Sequence, residues 1–571
     1  MRRPPAHRLL ILLSLFVFAL AGVVARLGVL QVRQARAYVE LGWEQRVRTV
    51  TLAAERGEIV DRNHAPLALS LEARDIYADP RYVTDPAGEA SMIADVLGWE
   101  RVEQRELRAR LRADGSFVYV ARGVDREVAD ALADRGPPGI GFLPSSTRSY
   151  PAGSLASQLL GFTDVDGLGI AGLEKQYEST LAGTPGERTS ELSPLGQLIP
   201  GGLDVVEPPV PGDDLVLTID REIQFQAQQY LRRAVQDNHA AGGTIIVMDP
   251  RTGDVYAMAS YPWFDPNRIG EFDPATFRNR AVTDLWEPGS VNKIITAAAA
   301  LETGAVALDD VFAVPATREI DGYTIHDSHP HAITRMTLAD IIARSSNIGS
   351  SLVADRVGNE RMAAFFARFG FGEPTGIGFP GEQRGLMPSV SEWTDVTRAT
   401  VSFGSGVAVT PLQMASVYAT IANGGRWVQP RLVRGTRASD GVVRDADVPS
   451  SRRVIDRETA DALTQMLAYA VADGTGAAAR IPGYQVAGKT GTAKKLEDGD
   501  YVRRYVASFF GFLPASDPRI VVAAVLDEPA TVYGGVAAAP LFQDVARYAI
   551  QNLPIEPAPA VPLPRHALLL P

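Results

Sequence analysis

Glu287-Pro288-Gly289-Ser290-Val291-Asn292-Lys293 opens a helix. Pro288 and Gly289 punctuate its entry, Ile294-Ile295-Thr296-Ala297-Ala298 carries it on, and Gly304 supplies a stop. Ser290 and Lys293 share one helical face, a turn apart. Ser290 falls at the positive end, where backbone N–H groups lack partners. A serine hydroxyl needs a base before it attacks a carbonyl. Lysine serves once desolvation lowers its pKa from about 10.4 towards neutrality. Taken alone the spacing is a weak signal, because a helix cap beside a solvated lysine reads the same way.

Two further stretches sharpen it. Ser345-Ser346-Asn347 follows the helical run Leu338 to Ala343 and offers a hydroxyl and an amide to a cleft. Lys489-Thr490-Gly491-Thr492 follows a short strand candidate, Gln485-Val486-Ala487-Gly488. Lys489 brings positive charge for a carboxylate, and the threonines bring hydroxyls. Gly491, with no side chain, is expected to let a substrate backbone approach the strand edge. The bland alternative is an edge strand protected by lysine. In this order, helix first and strand last, the three are specific together.

Outward from them, strands flank a mostly helical middle. Thr244 to Met248, the turn Asp249-Pro250-Arg251-Thr252-Gly253 and Asp254 to Ala259 predict a hairpin. Tyr505 to Leu513 and Arg519 to Leu526 predict two more strands about the turn Pro514 to Pro518. Both ends of this region are expected to build one antiparallel sheet covered by helices. The preceding half mixes strands such as Asp75 to Ala78 with helices such as Glu100 to Arg112. Gln31 to Glu55 reads as a stalk, Leu192 to Asp213 as a Pro- and Gly-rich linker, and the Pro-rich tail from Pro554 as disordered. The expected division is 1–31 anchor, 32–211 pedestal, 212–553 catalytic domain and 554–571 tail.

The chain has 571 residues, enough for two to four units. A net charge of −11 argues against nucleic acid as a partner. The absence of cysteine excludes disulfides, cysteine nucleophiles and thiolate metal sites. Arg2, Arg3 and Arg8 precede an apolar run from Leu9 to Ala25, the short end of a membrane span, which Arg26 lengthens by snorkelling. Basic residues ahead of the run place the N-terminus in the cytoplasm and the rest outside. A cleaved signal is the alternative, with Ala19-Leu20-Ala21 as its site. Apolar residues continue past that point, so a retained single-pass anchor is expected.

Ser-x-x-Lys, Ser-x-Asn and Lys-Thr-Gly resemble the signatures of the serine penicillin-recognising enzymes. The surrounding words are similar to the class B, FtsI-like penicillin-binding proteins. They are Arg56 to Asn63, Arg148-Ser149-Tyr150-Pro151, Gly169 to Glu174, Ser402-Phe403-Gly404 and Val409 to Gln413. The resemblance runs from the anchor to about residue 550. It implies an α+β fold: an antiparallel sheet with helices on both sides, after a mixed α/β pedestal and one transmembrane helix. It also implies a peptidoglycan D,D-transpeptidase on the periplasmic side of the cytoplasmic membrane. Ser290 would be acylated, with Lys293 its base. Ser345 would relay a proton and Asn347 hold the substrate amide. Lys489, Thr490, Gly491 and Thr492 would bind the terminal carboxylate, and the N–H groups of Ser290 and Thr492 would form the oxyanion hole. No cofactor or metal is implied. The implied partners are D-Ala-D-Ala stem peptides, β-lactams as inhibitors, an FtsW-like membrane glycosyltransferase and other division proteins. Tyr505 to Phe512 resembles the division branch. The alternatives are an elongation enzyme, a β-lactamase, or a sensor or scaffold without turnover.

His64 stands where the family often has glycine, so Asn63 is expected to take the left-handed position. His326, Asp327, His329 and His331 tempt a metal reading but lie in a loop that resembles one of the family's. Trp263, Phe264 and Trp286 read as core or cleft wall, and Asp527-Glu528-Pro529 as a solvated turn.

Overall fold

The structure is a computed structural model and describes residues 6–191, 199–497 and 499–564. The chain divides into two compact units. One comprises Met1–Glu55 and Gly183–Pro211. Its helix Ala6–Gly28 continues as one π-helical turn, Val29–Arg33, and this span is long and apolar enough to cross a membrane. Arg2 and Arg3 lie outside the described residues.

The expected stalk is more regular than its sequence suggests. Ala35–Arg46 is a helix, and Val47–Leu52 is a strand paired antiparallel with Gly186–Glu191. Alternating Val and Thr give that segment its β preference, and Thr49 and Thr189 join hydroxyls across the pair at 2.9 Å. The expected linker is partly structured too. Asp204–Glu207 adds a third strand, held by the Arg188–Asp204 pair at 3.0 Å. Positions 192–198 lie outside the described residues.

The other unit comprises Arg56–Ala182 and Gly212–Pro571. In its first part Pro66–Ala78 pairs with both Val118–Asp125 and Ile140–Ser149, and the helix predicted near Glu100 is Arg101–Arg110. The three quoted pedestal words meet at one carboxylate. Arg56 Nε and Arg148 Nε each donate to Glu174 at 2.7 Å, and Tyr150 Oη donates at 3.4 Å. Glu174 is fully buried, so its charge depends on both guanidinium groups.

At the Asp61–Ala65 turn the left-handed residue is His64, with φ +65°, and not Asn63. Asp61 Oδ1 accepts from the N–H groups of Asn63 and Ala65, both at 2.8 Å, which tightens the turn around position 64. Asp61 Oδ2 accepts from Arg221 N at 3.0 Å, so the turn caps the next helix.

That helix is α1, Arg221–Asp237. The strands Gly242–Met248 (β1) and Val255–Tyr261 (β2) follow. The helical middle contributes Lys293–Glu302 (α2), Leu338–Arg344 (α3), Asn347–Val357 (α4), Pro411–Ala422 (α5) and Arg457–Asp473 (α6). Small hairpins between Val311 and Thr337 interrupt it. Ala487–Glu497 (β3), Asp500–Leu513 (β4), Ile520–Asp527 (β5) and Gly534–Asn552 (α7) complete the domain.

The five strands form one antiparallel sheet in the order β2-β1-β5-β4-β3, as expected. Alternate residues serve different layers. Ile245, Val247, Phe509, Val522 and Ala524 face a core shared with α1 and α7. Ile246, Met248, Phe510, Phe512 and Val521 face the core of the helical middle. Burial on both faces explains why these strands read as unbroken apolar runs.

Two expectations are overturned. Asp527 and Glu528 are no solvated turn: Lys495 Nζ donates to both, at 3.0 and 2.6 Å, and Arg280 and Arg504 add to the cluster at 3.3 and 3.2 Å. The tail is not free over its first part. Ile555 is buried, Tyr484 Oη donates to Ile555 O at 2.7 Å, and Gln485 exchanges hydrogen bonds with Val561 at 3.1 and 2.6 Å. Residues 565–571 lie outside the described residues.

Removing a fully buried carboxylate leaves two guanidinium groups uncompensated. Glu174→Ala should therefore cost about 3–5 kcal/mol, read as a lower midpoint in urea denaturation. Arg233→Ala, at the exposed Arg233–Asp237 pair, should leave the midpoint unchanged.

Candidate active site

Ser290 lies on a short 3-10 turn, Gly289–Asn292, that runs into α2. The turn is wedged between the edge strand β3 and the Ser402-Phe403-Gly404 segment. Gly289 N donates to Gly404 O at 3.1 Å. Gly404 has φ +88°, and a Cβ there would stand 2.3 Å from Gly289 O, so only glycine fits. From below, Tyr418 Oη on α5 donates to Val291 O at 3.1 Å.

Gly491 has a different role from the one expected. A Cβ there would lie 2.3 Å from Ser508 Oγ and 3.0 Å from Val291 Cγ1. The missing side chain makes room for β4 and the Ser290 turn, not for a substrate backbone.

Lys293 is buried, and its Nζ reaches four oxygens: Ser290 Oγ at 3.0 Å, Ser345 O at 2.6 Å, Ser345 Oγ at 3.2 Å and Asn347 Oδ1 at 2.7 Å. Burial, and then the charge of Lys489, push its pKa well below the usual lysine range. A neutral amine donates two hydrogens and accepts one. The two shortest contacts take the hydrogens, which leaves the lone pair for the Ser290 hydroxyl. Ser345 holds a left-handed backbone, φ +61°, as the cap of α3, and this presents both its carbonyl and its hydroxyl to the lysine.

Asn347 begins α4, whose N-terminus is gripped by Asp327. That carboxylate accepts from Ser346 Oγ at 2.6 Å, Asn347 N at 2.6 Å and Ile348 N at 3.0 Å, and it contacts His331 Nε2 at 3.0 Å. Burial raises its pKa, but the hydrogen bonds from Ser346, Ile348 and His331 and the charge of Lys293 outweigh it and hold Asp327 below the usual value. The loop of His326 to His331 therefore supports Asn347, and no group of metal-binding side chains is found among the described residues.

Lys489 is buried on β3 and pushed down to about 7 by desolvation. Among the described residues its Nζ meets only neutral oxygens: Thr490 O at 3.3 Å, Thr490 Oγ1 at 3.4 Å and Thr475 Oγ1 at 3.5 Å. Thr490 and Thr475 share a hydroxyl hydrogen bond of 2.7 Å, and Thr492 Oγ1 accepts from Gly534 N at 3.1 Å. A cavity of about 960 Å³ opens over these groups, lined by Ser290, Ser345, Asn347, Thr490 and Thr492. All eight predicted residues thus gather around one cavity or directly beneath it.

Sequence reasoning missed Thr475 and undervalued Asp327. Thr475 sits between Gly474 and Gly476, its one local signal. Asp327 was passed over inside a histidine cluster. For two of the three aromatic residues the expectation holds: Phe264 is fully buried, and Trp286 stacks on Phe510 with centroids 6.1 Å apart, whereas Trp263 is half-buried against Tyr261.

The family model of the penicillin binding protein transpeptidase domain matches residues 243–547, and that of the penicillin-binding protein dimerisation domain matches 51–217. Penicillin-binding protein PbpB of Mycolicibacterium smegmatis is 37% identical, over 98% of this chain and 92% of that protein. Peptidoglycan D,D-transpeptidase FtsI of Escherichia coli is 35% identical, over 96% of this chain and 92% of that protein. The crystal structure of penicillin binding protein 3 from Mycobacterium tuberculosis in complex with aztreonam superposes with a TM-score of 0.72 at 33% identity, covering 90% of this chain and 100% of that one. With a dimerisation domain and a transpeptidase domain in one polypeptide, this chain belongs to the penicillin-binding proteins, as a class B, FtsI-like member.

Proposed function

We propose that the protein crosslinks peptidoglycan as a D,D-transpeptidase, through an acyl-enzyme on Ser290, in septal wall synthesis during division. The observation that carries this is Lys293, buried with no carboxylate partner among the described residues and with Ser290 Oγ 3.0 Å from its Nζ. The likeness to FtsI and PbpB supports the division role.

The reaction follows from the geometry. The terminal carboxylate of a D-Ala-D-Ala stem peptide enters towards Lys489, Thr490 and Thr492 and draws a proton onto Lys489. Lys293 takes the Ser290 proton as Oγ attacks the penultimate carbonyl. The N–H groups of Ser290 and Thr492 receive the oxyanion. Asn347 holds the substrate amide, and Ser345 passes a proton to the departing D-alanine. An amine from a second stem peptide then resolves the ester. β-Lactams acylate the same serine.

The N-terminal helix anchors the chain in the cytoplasmic membrane. The basic residues ahead of it support an orientation with the catalytic domain in the periplasm. The module boundaries we adopt are 1–31 for the anchor, 32–211 for the pedestal and 212–553 for the transpeptidase domain. An FtsW-like glycosyltransferase in the same membrane is the partner such a chain requires, because a crosslinking enzyme needs nascent glycan strands.

Intact mass after incubation with a fluorescent penicillin should show one adduct on the wild type and none on Ser290→Ala. A folded wild type that takes no label would defeat the acyl-enzyme reading. Lys293→Ala should acylate about 10²–10⁴-fold more slowly.

The two lysines give a bell-shaped profile of kcat/KM against pH. On the acid side Lys293 gains a proton and ceases to act as base. On the alkaline side Lys489, near 7 in the free enzyme, loses the charge that receives the carboxylate. Amidating the substrate's terminal carboxylate should remove the alkaline limb and keep the acid one. An alkaline limb that persists on the amidated substrate would show that Lys489 does not serve the carboxylate.

A further inference from the structure

The loop from His326 to His331 holds Asn347 at two points. Asp327 accepts from the backbone N–H of Asn347, and His326 O accepts from its side-chain Nδ2 at 3.0 Å. The second bond decides which way the amide faces. With Nδ2 committed to the loop, Oδ1 is left for Lys293 Nζ, 2.7 Å away.

Counting protons around Asp327 fixes the charge of His331. Asp327 Oδ1 accepts from Asn347 N and Ile348 N at 2.6 and 3.0 Å. Oδ2 meets Ser346 Oγ at 2.6 Å and His331 Nε2 at 3.0 Å. Ser346 Oγ already accepts from Gly349 N at 2.8 Å, so its own hydrogen goes to Asp327. Three donors therefore stabilise the carboxylate, and the proton between Oδ2 and Nε2 belongs to His331. On the other side of the ring Nδ1 stands 2.7 Å from Ala332 O, which can only accept. Both ring nitrogens thus carry hydrogen, and a neutral ring would have to give up one of the two contacts.

The fields at the ring agree with this count. The bond to Ala332 O, and then Asp327, raise the His331 pKa against burial and the charge of Arg344 on α3. The other histidines of the loop, His326 and His329, are exposed. With a raised pKa, the charge is present below that value and lost as pH rises through it. The charge bears on the base. Asp327 favours a protonated Lys293, and a protonated lysine cannot take the Ser290 proton. A cation bonded to Asp327 offsets that pull.

We propose that His331 is a positioning residue for the acylation of Ser290: as an imidazolium it completes the hydrogen bonding of Asp327, fixes the loop that orients Asn347, and keeps Lys293 a neutral base. This rests on the reading of Ser290 as nucleophile and Lys293 as its base. His331 touches neither the reacting atoms nor Lys293 directly. It acts through Asp327 in two ways, by geometry on Asn347 and by charge on Lys293, and substitutions separate the two.

The test uses the full chain in detergent. With ¹⁵N in its histidines alone, the His331 ring is identified by the signals lost in His331→Gln or His331→Lys. At neutral pH it should show both nitrogens protonated. The rate of acylation by a fluorescent penicillin is then followed against pH. His331→Gln keeps an amide donor towards Asp327 but loses the charge. Its acid limb should move up by about 0.5–1 pH unit, a slowing of about 3–10-fold on that limb, with the plateau kept. His331→Lys keeps the charge and should leave the limb in place. His331→Phe loses both charge and donor, and should lower the plateau as well. A neutral ring at neutral pH in the wild type would overturn the proposal, whatever the variants do. So would a limb that stays in place in His331→Gln, or one that moves equally in His331→Lys, while Ser290 of the wild type is still labelled. A folded wild type that takes no penicillin would instead remove the reading of Ser290 and Lys293, and the role of His331 with it.

Discussion

Two buried lysines, neither bonded to a carboxylate among the described residues, set the terms for the rest of the catalytic domain. Moving an ammonium group out of water costs several kcal/mol even after relaxation, and a buried amine ordinarily escapes by shedding its proton. The charge of Lys489 lowers the cost of neutrality for Lys293 further. Asp327 has a countering effect on Lys293, yet its oxygens are spent on Ser346 and on the amides of α4. It is close enough to moderate the lysine and too occupied to neutralise it.

An arrangement this unfavourable persists only if its surroundings cannot relax. The Ser290 turn is pinned from three directions: by Gly404 at its entry, by Tyr418 below and by β3 at its side. Each contact tolerates little change. Glycine is required at 404 and 491 by backbone and side-chain approaches closer than any Cβ permits. Trp286 stacked on Phe510 ties the segment leading to the nucleophile to the centre of the sheet. Rigidity here lets binding align the reacting atoms without reorganising the site.

How far the sequence foretold this depends on the range over which each feature is encoded. The strands β1, β4 and β5 were legible because burial on both faces leaves unbroken apolar runs between turn residues. The three catalytic words were legible because each is local, and their order did the rest. What escaped was set by distant partners. Asp327 lies 20 residues before Asn347, and nothing in its own neighbourhood says which helix it caps. The Asp204–Glu207 strand hides in Pro- and Gly-rich sequence, because its partner Gly186–Glu191 comes from before the linker. At His64 the error was one position. Two backbone N–H groups bound to Asp61 fix the geometry of the turn, and that constraint outranks the intrinsic preference of Asn63 for a left-handed backbone.

The edge strand brings these points together. β3 leaves one side of its backbone unpaired, an arrangement that proteins commonly protect against stray pairing. Here the strand is held fast at its far end, where Lys495 reaches the Asp527–Glu528 cluster across β4. At its near end Lys489 and Thr490 are tied to Thr475. Between these anchors Thr492, Ala493 and Lys494 line the open cavity. A peptide arriving there meets a strand already in position, with a cation before and after the nucleophile. The usual liability of a sheet edge is thereby confined to the length of one substrate.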